Sequence, residues 1–323
     1  MAIVANTFLR YDAKGLRESL SDIIYDVSPE ETPFLSAAGR GSMKQTQEEW
    51  QTDVLASADT TNAQLEGDDV TSYSAITATV RVGNYSQISR KVFLISDTEE
   101  VVDKAGRRSE MAYQIPRRGL ELRRDIESIC FLNQIGVAGD STTAREIAAL
   151  GAHVKTNDSL GASGTSPTWT SGVPNDARGD GTQRAFTESI LKAVVELLWT
   201  SGGNLRSLFV GPFNKQAVSN FSGVVTRNFD MSNVDPSPTA VIAAIDVYVS
   251  DFGTLKVIPS RYQRERDAWF LDFEFLEVLF LRPFQTVKLA KTGDAEKRML
   301  IAEWSLKVKN EAALGLAADL NTS

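Results

Sequence analysis

Within "AITATVRVGNYSQISRKVFLIS" (75–96), the apolar residues Ile76, Ala78, Val80 and Val82 recur with period two, on one face of an extended strand. The earlier stretch "QEEWQTDVLA" (47–56) is also strand-like. Between them, "SADTTNAQLEGDDVTS" is polar, acidic and holds Gly67. The pattern predicts two long strands joined by a polar tip, an extended hairpin over 46–95. A two-stranded hairpin is marginal alone in water, so its edges call for a partner.

After residue 96 the period lengthens. Met111, Ile115, Leu122, Ile126, Ile129 and Asn133 step by four, seven, four, three and four, the stripe of an amphipathic helix within 97–135. Pro116 is expected to kink this helix or divide it in two. Residues 137–183 are rich in Gly, Ser, Thr, Asn and Asp and read as an excursion with little regular structure. A loop of that length usually acts on something or packs on something.

Regular patterns then return. "FTESILKAVVELLWT" (186–200) is a helix with Thr187 as its cap, Phe186 and Leu191 as a hydrophobic staple, and Gly202 and Gly203 at its end. "SLFVGP" is a buried strand, and Pro212 opens another helix at its first position. "AIDVYVSDFGTLKVIPS" reads as a hairpin around Asp251-Phe252-Gly253, followed by strands at "AWFLD", "VLFLRPFQTVKLA" and "MLIAEWSLKVKN" and a short apolar tail, "EAALGLAADL". The mixture is α+β, with helices in the middle and an antiparallel sheet late. By contrast, residues 1–45 carry only Leu16, Leu20, Ile23 and Ile24, then Pro29, Pro33 and an anchor at Phe34 and Leu35. That is too little apolar surface for a core, so this arm must lie on something else.

The 323 residues carry a net charge of −8, which argues against a free-standing DNA-binding domain. A single cysteine, Cys130, allows no disulfide within the chain and fits folding in a reducing cytosol. Neither a signal peptide nor a membrane-spanning run is expected. His153 is the only histidine, so no Ser-His-Asp or Cys-His system can be assembled without it. It reads as a structural residue. One cysteine and one histidine cannot build a structural zinc site, and the cluster Glu66, Asp68 and Asp69 lacks the spacing of a calcium loop. Asp251-Phe252-Gly253 lacks the other kinase motifs and is a turn. No catalytic residue, cofactor or metal is expected.

Charge is distributed unevenly. Residues 46–103 hold eleven acids and three bases, a net of −8, whereas 104–134 hold seven bases and four acids, a net of +3. The bases include Arg117, Arg118, Arg123 and Arg124, with acids three or four residues along, such as Glu121 after Arg117 and Glu127 after Arg123. Such pairing favours protein over nucleic acid as the arginines' partner. Glu66, Asp68 and Asp69 at the hairpin tip and the four arginines are therefore candidate contacts between copies.

The order of arm, acidic hairpin, long helix, Gly-rich loop, second helix and late sheet resembles the tailed-bacteriophage major capsid proteins of the HK97-type fold. More narrowly it is similar to the podovirus-like major head proteins of the DUF5309 type. The resemblance is carried by "RESLSDIIYDVSPEETPFLSAAGRG", "SQISRKVFLISDTEEVVDKAGRRSEMAYQ" and "LRPFQTVKLAKTGDAEKRMLIAEWSLKVKNEAALG", and it covers nearly the whole chain. It implies an N-terminal arm (1–45), an extended E-loop hairpin (46–95) and a peripheral domain (96–200) with the spine helix and the Gly-rich loop. An axial domain (201–285) would follow, then a strand returning to the peripheral domain (286–323). It also implies self-assembly in the host cytoplasm into hexamers and pentamers of an icosahedral virion head. Scaffolding, portal and decoration proteins would be partners, and packaged double-stranded DNA would lie non-specifically on the inner face. Three other readings stay open: an encapsulin-like compartment, a nucleic-acid-binding protein using the helix arginines, and an enzyme of unrecognised chemistry.

Overall fold

The computed structural model describes residues 31–67, 69, 73, 75–103, 108–204, 206–221 and 246–323. In chain order the first half holds α1 (Pro33–Ala37), β1 (Gly39–Ser42), β2 (Gln47–Thr52), β3 (Val80–Tyr85), β4 (Gln87–Ser96), α2 (Asp97–Val101), α3 (Glu110–Cys130), α4 (Leu150–His153) and β5 (Asp158–Ser159). The second half holds α5 (Glu188–Thr200), β6 (Ser207–Val210), α6 (Pro212–Ser219), β7 (Val247–Ser250), β8 (Gly253–Pro259), β9 (Ala268–Leu271), β10 (Leu276–Lys288), β11 (Ala295–Val308) and β12 (Gly315–Ala317).

Two mixed sheets form the body, so the late strands are not purely antiparallel. A four-stranded sheet runs β1-β10-β11-β4, with β1 parallel to β10 and the other pairs antiparallel. The register of β10 shifts on both sides of Arg282, next to Pro283, which has no N–H to give the ladder. A six-stranded sheet runs β5-β12-β9-β6-β8-β7 and contains two parallel pairs, β6 with β8 and β5 with β12.

The six-stranded sheet is buried on both faces. Along β6, Leu208 and Val210 join one core with α5 and α6, while Phe209 points into the other core with α3. Along β9, Ala268 and Phe270 face the first, and Trp269 and Leu271 the second. That is why "SLFV" and "AWFL" read as apolar runs with no alternation. α5 accordingly packs on β12 and β5.

α3 runs unbroken through Pro116 and is not divided in two. The helix expected over 97–135 is two helices. α2 supplies Glu100, whose carboxylate accepts the N–H groups of Glu110 (3.1 Å) and Met111 (3.4 Å), while the Ser109 hydroxyl accepts that of Ala112 (3.1 Å). Leu122, Ile126 and Cys130 are buried, but Met111 and Ile115 are only half-buried, so the stripe contacts the core chiefly through its C-terminal half. Thr187 stands at the cap position of α5 but bonds Ser189 rather than a helix N–H. Gly202 ends α5 at φ +83°, a conformation open to glycine. Pro212 opens α6.

The stretch 75–96 is not one hairpin strand. β3 pairs with β2 over six residues, and after Ser86 the chain crosses into the four-stranded sheet as β4. Ile76, placed by its period in the strand, lies outside it and is 98% exposed.

Residues 137–183 form part of the core. Ile147, Leu150 and Val154 are fully buried against α3 and β11 residues, and Arg178 is sealed in a two-pronged pair with Asp267, both contacts at 2.9 Å. Polar Gly-rich composition hides this, because much of the segment's attachment runs through backbone and ion pairs rather than an apolar period.

Candidate assembly surfaces

The hairpin leaves the body at a polar hinge. The Asn84 amide donates to the carbonyls of Ala148 (2.9 Å) and Leu306 (2.7 Å), and its oxygen accepts the N–H of Ala148 (2.8 Å). The Ser86 hydroxyl donates to Glu303 (2.9 Å), and the Arg145 Nε donates to the Ser86 carbonyl (2.6 Å). Glu303, almost fully buried, also pairs with Arg145 and with Arg282 (2.7 Å). On its outer edge β3 exchanges backbone hydrogen bonds with Gly172 of the 137–183 segment. Three separate regions therefore hold the hinge. The sequence assigned none of these hinge residues a role, although Glu303 lies in a stretch that carries the family resemblance. The one available signal is Glu303, a carboxylate inside the otherwise buried run "LIAEWSL", where a charge needs a partner.

Among the described residues, the hairpin has no ladder beyond the six paired residues. Val54 (83%), Leu55 (96%), Leu65 (82%) and Ile76 (98%) are exposed there. Glu66 and Asp69 are exposed near the tip, and Asp68 lies outside the described residues. Between residues 47 and 85 there are seven acids and only Arg81 as a base, and Arg81 pairs with Glu49. Asp97, Glu99, Glu100 and Asp103, counted earlier with the acidic stretch, lie beyond the hairpin, in α2 and the turn that follows it.

The arginines of α3 have partners within the chain. Arg118 pairs with Glu121 at 2.6 Å, and Arg117 reaches Glu121 at 3.9 Å and the Tyr113 hydroxyl at 3.2 Å. Arg123 donates to the Thr32 hydroxyl (3.1 Å), and Lys91 of β4 pairs with Asp125 (2.5 Å). The expected partner of Arg123, Glu127, instead receives the N–H groups of Phe34 and Leu35. α3 itself holds four arginines and four acids. The positive excess of 104–134 comes from Lys104, Arg107 and Arg108, of which only Arg108 is among the described residues.

His153 is fully buried, and desolvation pushes its pKa down to about 3, so the imidazole is neutral at ordinary pH. It lies 3.4 Å from the Asn84 amide and edge-on to Trp169, a packing role. Burial likewise pushes the Cys130 thiol well up. Among the described residues no group of three His, Cys, Asp or Glu is placed to hold a metal, and no helix is long and apolar enough to cross a membrane.

Comparison with known proteins agrees with this architecture. The family model described as SU10 major capsid protein matches residues 3–321. The major capsid protein of Escherichia phage Phieco32 is 27% identical, with 96% of each chain covered. Among solved structures, the chain is similar to the cyanophage A-1(L) capsid asymmetric unit, at a TM-score of 0.66 and 15% identity over 95% of this chain and 98% of that one. It is also similar to the capsid of the native GTA particle, at a TM-score of 0.62 and 13% identity over 97% and 98%.

Proposed function

The chain belongs to the SU10 major capsid protein family, and on that footing we propose how its surfaces build the shell. As a phage major capsid protein it associates with copies of itself to form the capsid of the virion. The proposed units are hexamers and pentamers of an icosahedral head. Residues 1–45 would serve as the arm, the hairpin of β2 and β3 (47–85, shorter than the 46–95 expected from the sequence because β4 belongs to the body) as the E-loop, α3 as the spine of the peripheral domain, and the six-stranded sheet as the centre of the axial domain. Scaffolding, portal and decoration proteins are proposed partners, with packaged DNA against the inner face. No comparison favours a compartment shell, a DNA-binding module or an enzyme.

One observation carries the assembly reading: the hairpin beyond Thr52 and before Val80 exposes Val54, Leu55, Leu65 and Ile76 almost completely. A neighbouring copy would remove that apolar surface from water, at about 25 cal/mol per Å². Glu66, Asp68 and Asp69 at the tip, with Arg117, Arg118, Arg123 and Arg124 on the spine, are the proposed polar contacts between copies. An exposed ion pair gives only about 0–1 kcal/mol, so their weight comes from repetition around a closed shell.

Deletion of residues 60–72 tests this. The subunit is expected to keep a cooperative thermal transition and to form no closed shells by negative-stain microscopy. Normal shells, or loss of folded soluble subunit, would overturn the proposal.

A further inference from the structure

Thr32, Pro33, Phe34 and Leu35 bring the first part of the chain onto the body, and the contacts there are unusual. α1 is only five residues long and starts with Pro33. Its N-cap residue, Thr32, makes no side-chain cap. The N–H groups of Phe34 and Leu35 are the two donors such a cap would take. Both go to one carboxylate on another helix: Glu127 accepts from Phe34 at 3.2 Å and from Leu35 at 3.0 Å. One turn earlier on α3, Arg123 donates to the Thr32 hydroxyl at 3.1 Å. Phe34, fully buried, sits edge-on to Phe131 at 5.0 Å and beside Phe273 at 5.9 Å.

We propose that Glu127 is a positioning residue for the arm: with Arg123 it clamps the chain at residues 32–35 and fixes the backbone direction there, while residues 1–30 of the expected arm lie outside the described residues. A glutamate side chain is suited to this because each of its two oxygens can accept from one of the two N–H groups, whether or not the group carries its proton. An apolar seat alone would hold Phe34 but would not orient the backbone before it. This rests on contacts within the subunit and not on the hairpin reading above.

The clamp is also linked to protons. Glu127 is fully buried, and desolvation raises its pKa from 4.5 to about 7, against the lowering effect of the two N–H groups and of Arg123. α1 brings only these N–H groups to it. From α3, Arg123 and the Cys130 thiol are its charged or titratable neighbours. Lys91 on β4 is taken by Asp125, and β11 contributes Leu300, Ala302 and Trp304 to the surrounding core. When α1 lifts away, Glu127 meets water and its ordinary pKa returns. The docked state therefore binds more protons across pH 4.5–7, and docking weakens as pH rises through that window. From pH 6 to pH 8 the loss is about tenfold for a pKa of 7 against 4.5.

Hydrogen exchange on the unassembled subunit tests this through protection factors for amides 34–38. Wild type is expected to lose about tenfold protection between pH 6 and pH 8, while amides of β11 hold theirs. Glu127→Gln offers one acceptor to two donors and cannot ionise. It should flatten the profile, its protection at pH 8 staying close to its value at pH 6. Phe34→Ala should lower protection but keep the slope. Arg123→Met removes the charge that favours ionised Glu127 and should move the midpoint to higher pH. An unchanged slope in Glu127→Gln overturns the proposal. So does an unmoved midpoint in Arg123→Met, which decides the matter even if Glu127→Gln does not fold.

Discussion

Arg178→Met removes one half of a sealed ion pair and asks whether the 137–183 segment belongs to the subunit's core. The Arg178 side chain is 0% exposed and its partner Asp267 is 1% exposed, with both guanidinium–carboxylate contacts made from one nitrogen at 2.9 Å. Breaking a buried pair by removing one member typically costs about 3–5 kcal/mol, because the remaining charge stays buried without compensation. Two features place the expected cost at the lower end, about 3 kcal/mol. Arg264 remains 3.8 Å from Asp267, and methionine fills most of the vacated volume. Asp267 also sets a pH signature. Desolvation already raises its pKa, against Arg178 and Arg264, which lower it. Without Arg178 it rises further. The folded variant then holds a proton that the unfolded chain releases, so the deficit relative to wild type grows as pH rises and shrinks as Asp267 is protonated. Urea unfolding of the unassembled subunit is the assay. With an m-value of about 3 kcal/mol/M the midpoint should fall by about 1 M at pH 8 and by less at pH 5. The double change Arg178→Met with Asp267→Leu should recover most of the loss, since no lone charge remains. A cost below about 1 kcal/mol at pH 8, or a cost independent of pH, would refute the reasoning.

Two further outcomes follow from packing. Phe131→Ala should cost about 3–5 kcal/mol in the same urea assay, because the ring is fully buried among Phe34, Phe209 and Trp269 and joins α1, α3 and the six-stranded sheet. Gly119→Ala should stabilise the unassembled subunit by about 0.5–1 kcal/mol, read as a higher Tm. Gly119 lies inside α3, and an added Cβ would meet only Leu300 at 3.8 Å, an ordinary contact.

Much of the second half of the chain was legible because its information is local. The run "SLFV", the Gly202 stop, Pro212 at a helix start and the turn at Asp251-Phe252-Gly253 each act within a few residues, and α5, β6, α6, β7 and β8 appear where those signals place them. β9, β10 and β11 follow from β-rich stretches in the same way, although their division between two sheets does not. The hairpin was overextended for a specific reason. Ile88, Val92 and Leu94 fall on the same parity as Val80 and Val82 but are exposed, while Phe93 and Ile95 on the other parity are buried, so the period alone does not tell that the chain changes sheets near Ser86. What decides it is Glu303, 217 residues away, together with Arg145.

The same distinction separates the visible from the hidden parts of the assembly surfaces. Exposed charge is countable in a sequence, and Glu66, Asp69 and the α3 arginines could be named from composition. Buried charge has meaning only through its partner. Glu127 looked like the second half of an i,i+4 pair with Arg123, a surface device worth a few tenths of a kcal/mol. In the fold the two residues face the same short segment, one holding the N–H groups of Phe34 and Leu35 and the other the Thr32 hydroxyl. The spacing that would make them a pair on an isolated helix lets them grip neighbouring points on α1. An i,i+4 acid–base pair next to a helix's apolar stripe is therefore as well suited to clamping another segment as to bonding within itself. Burial of the acid decides between the two, and here Glu127 is fully buried while Arg123 is only half so.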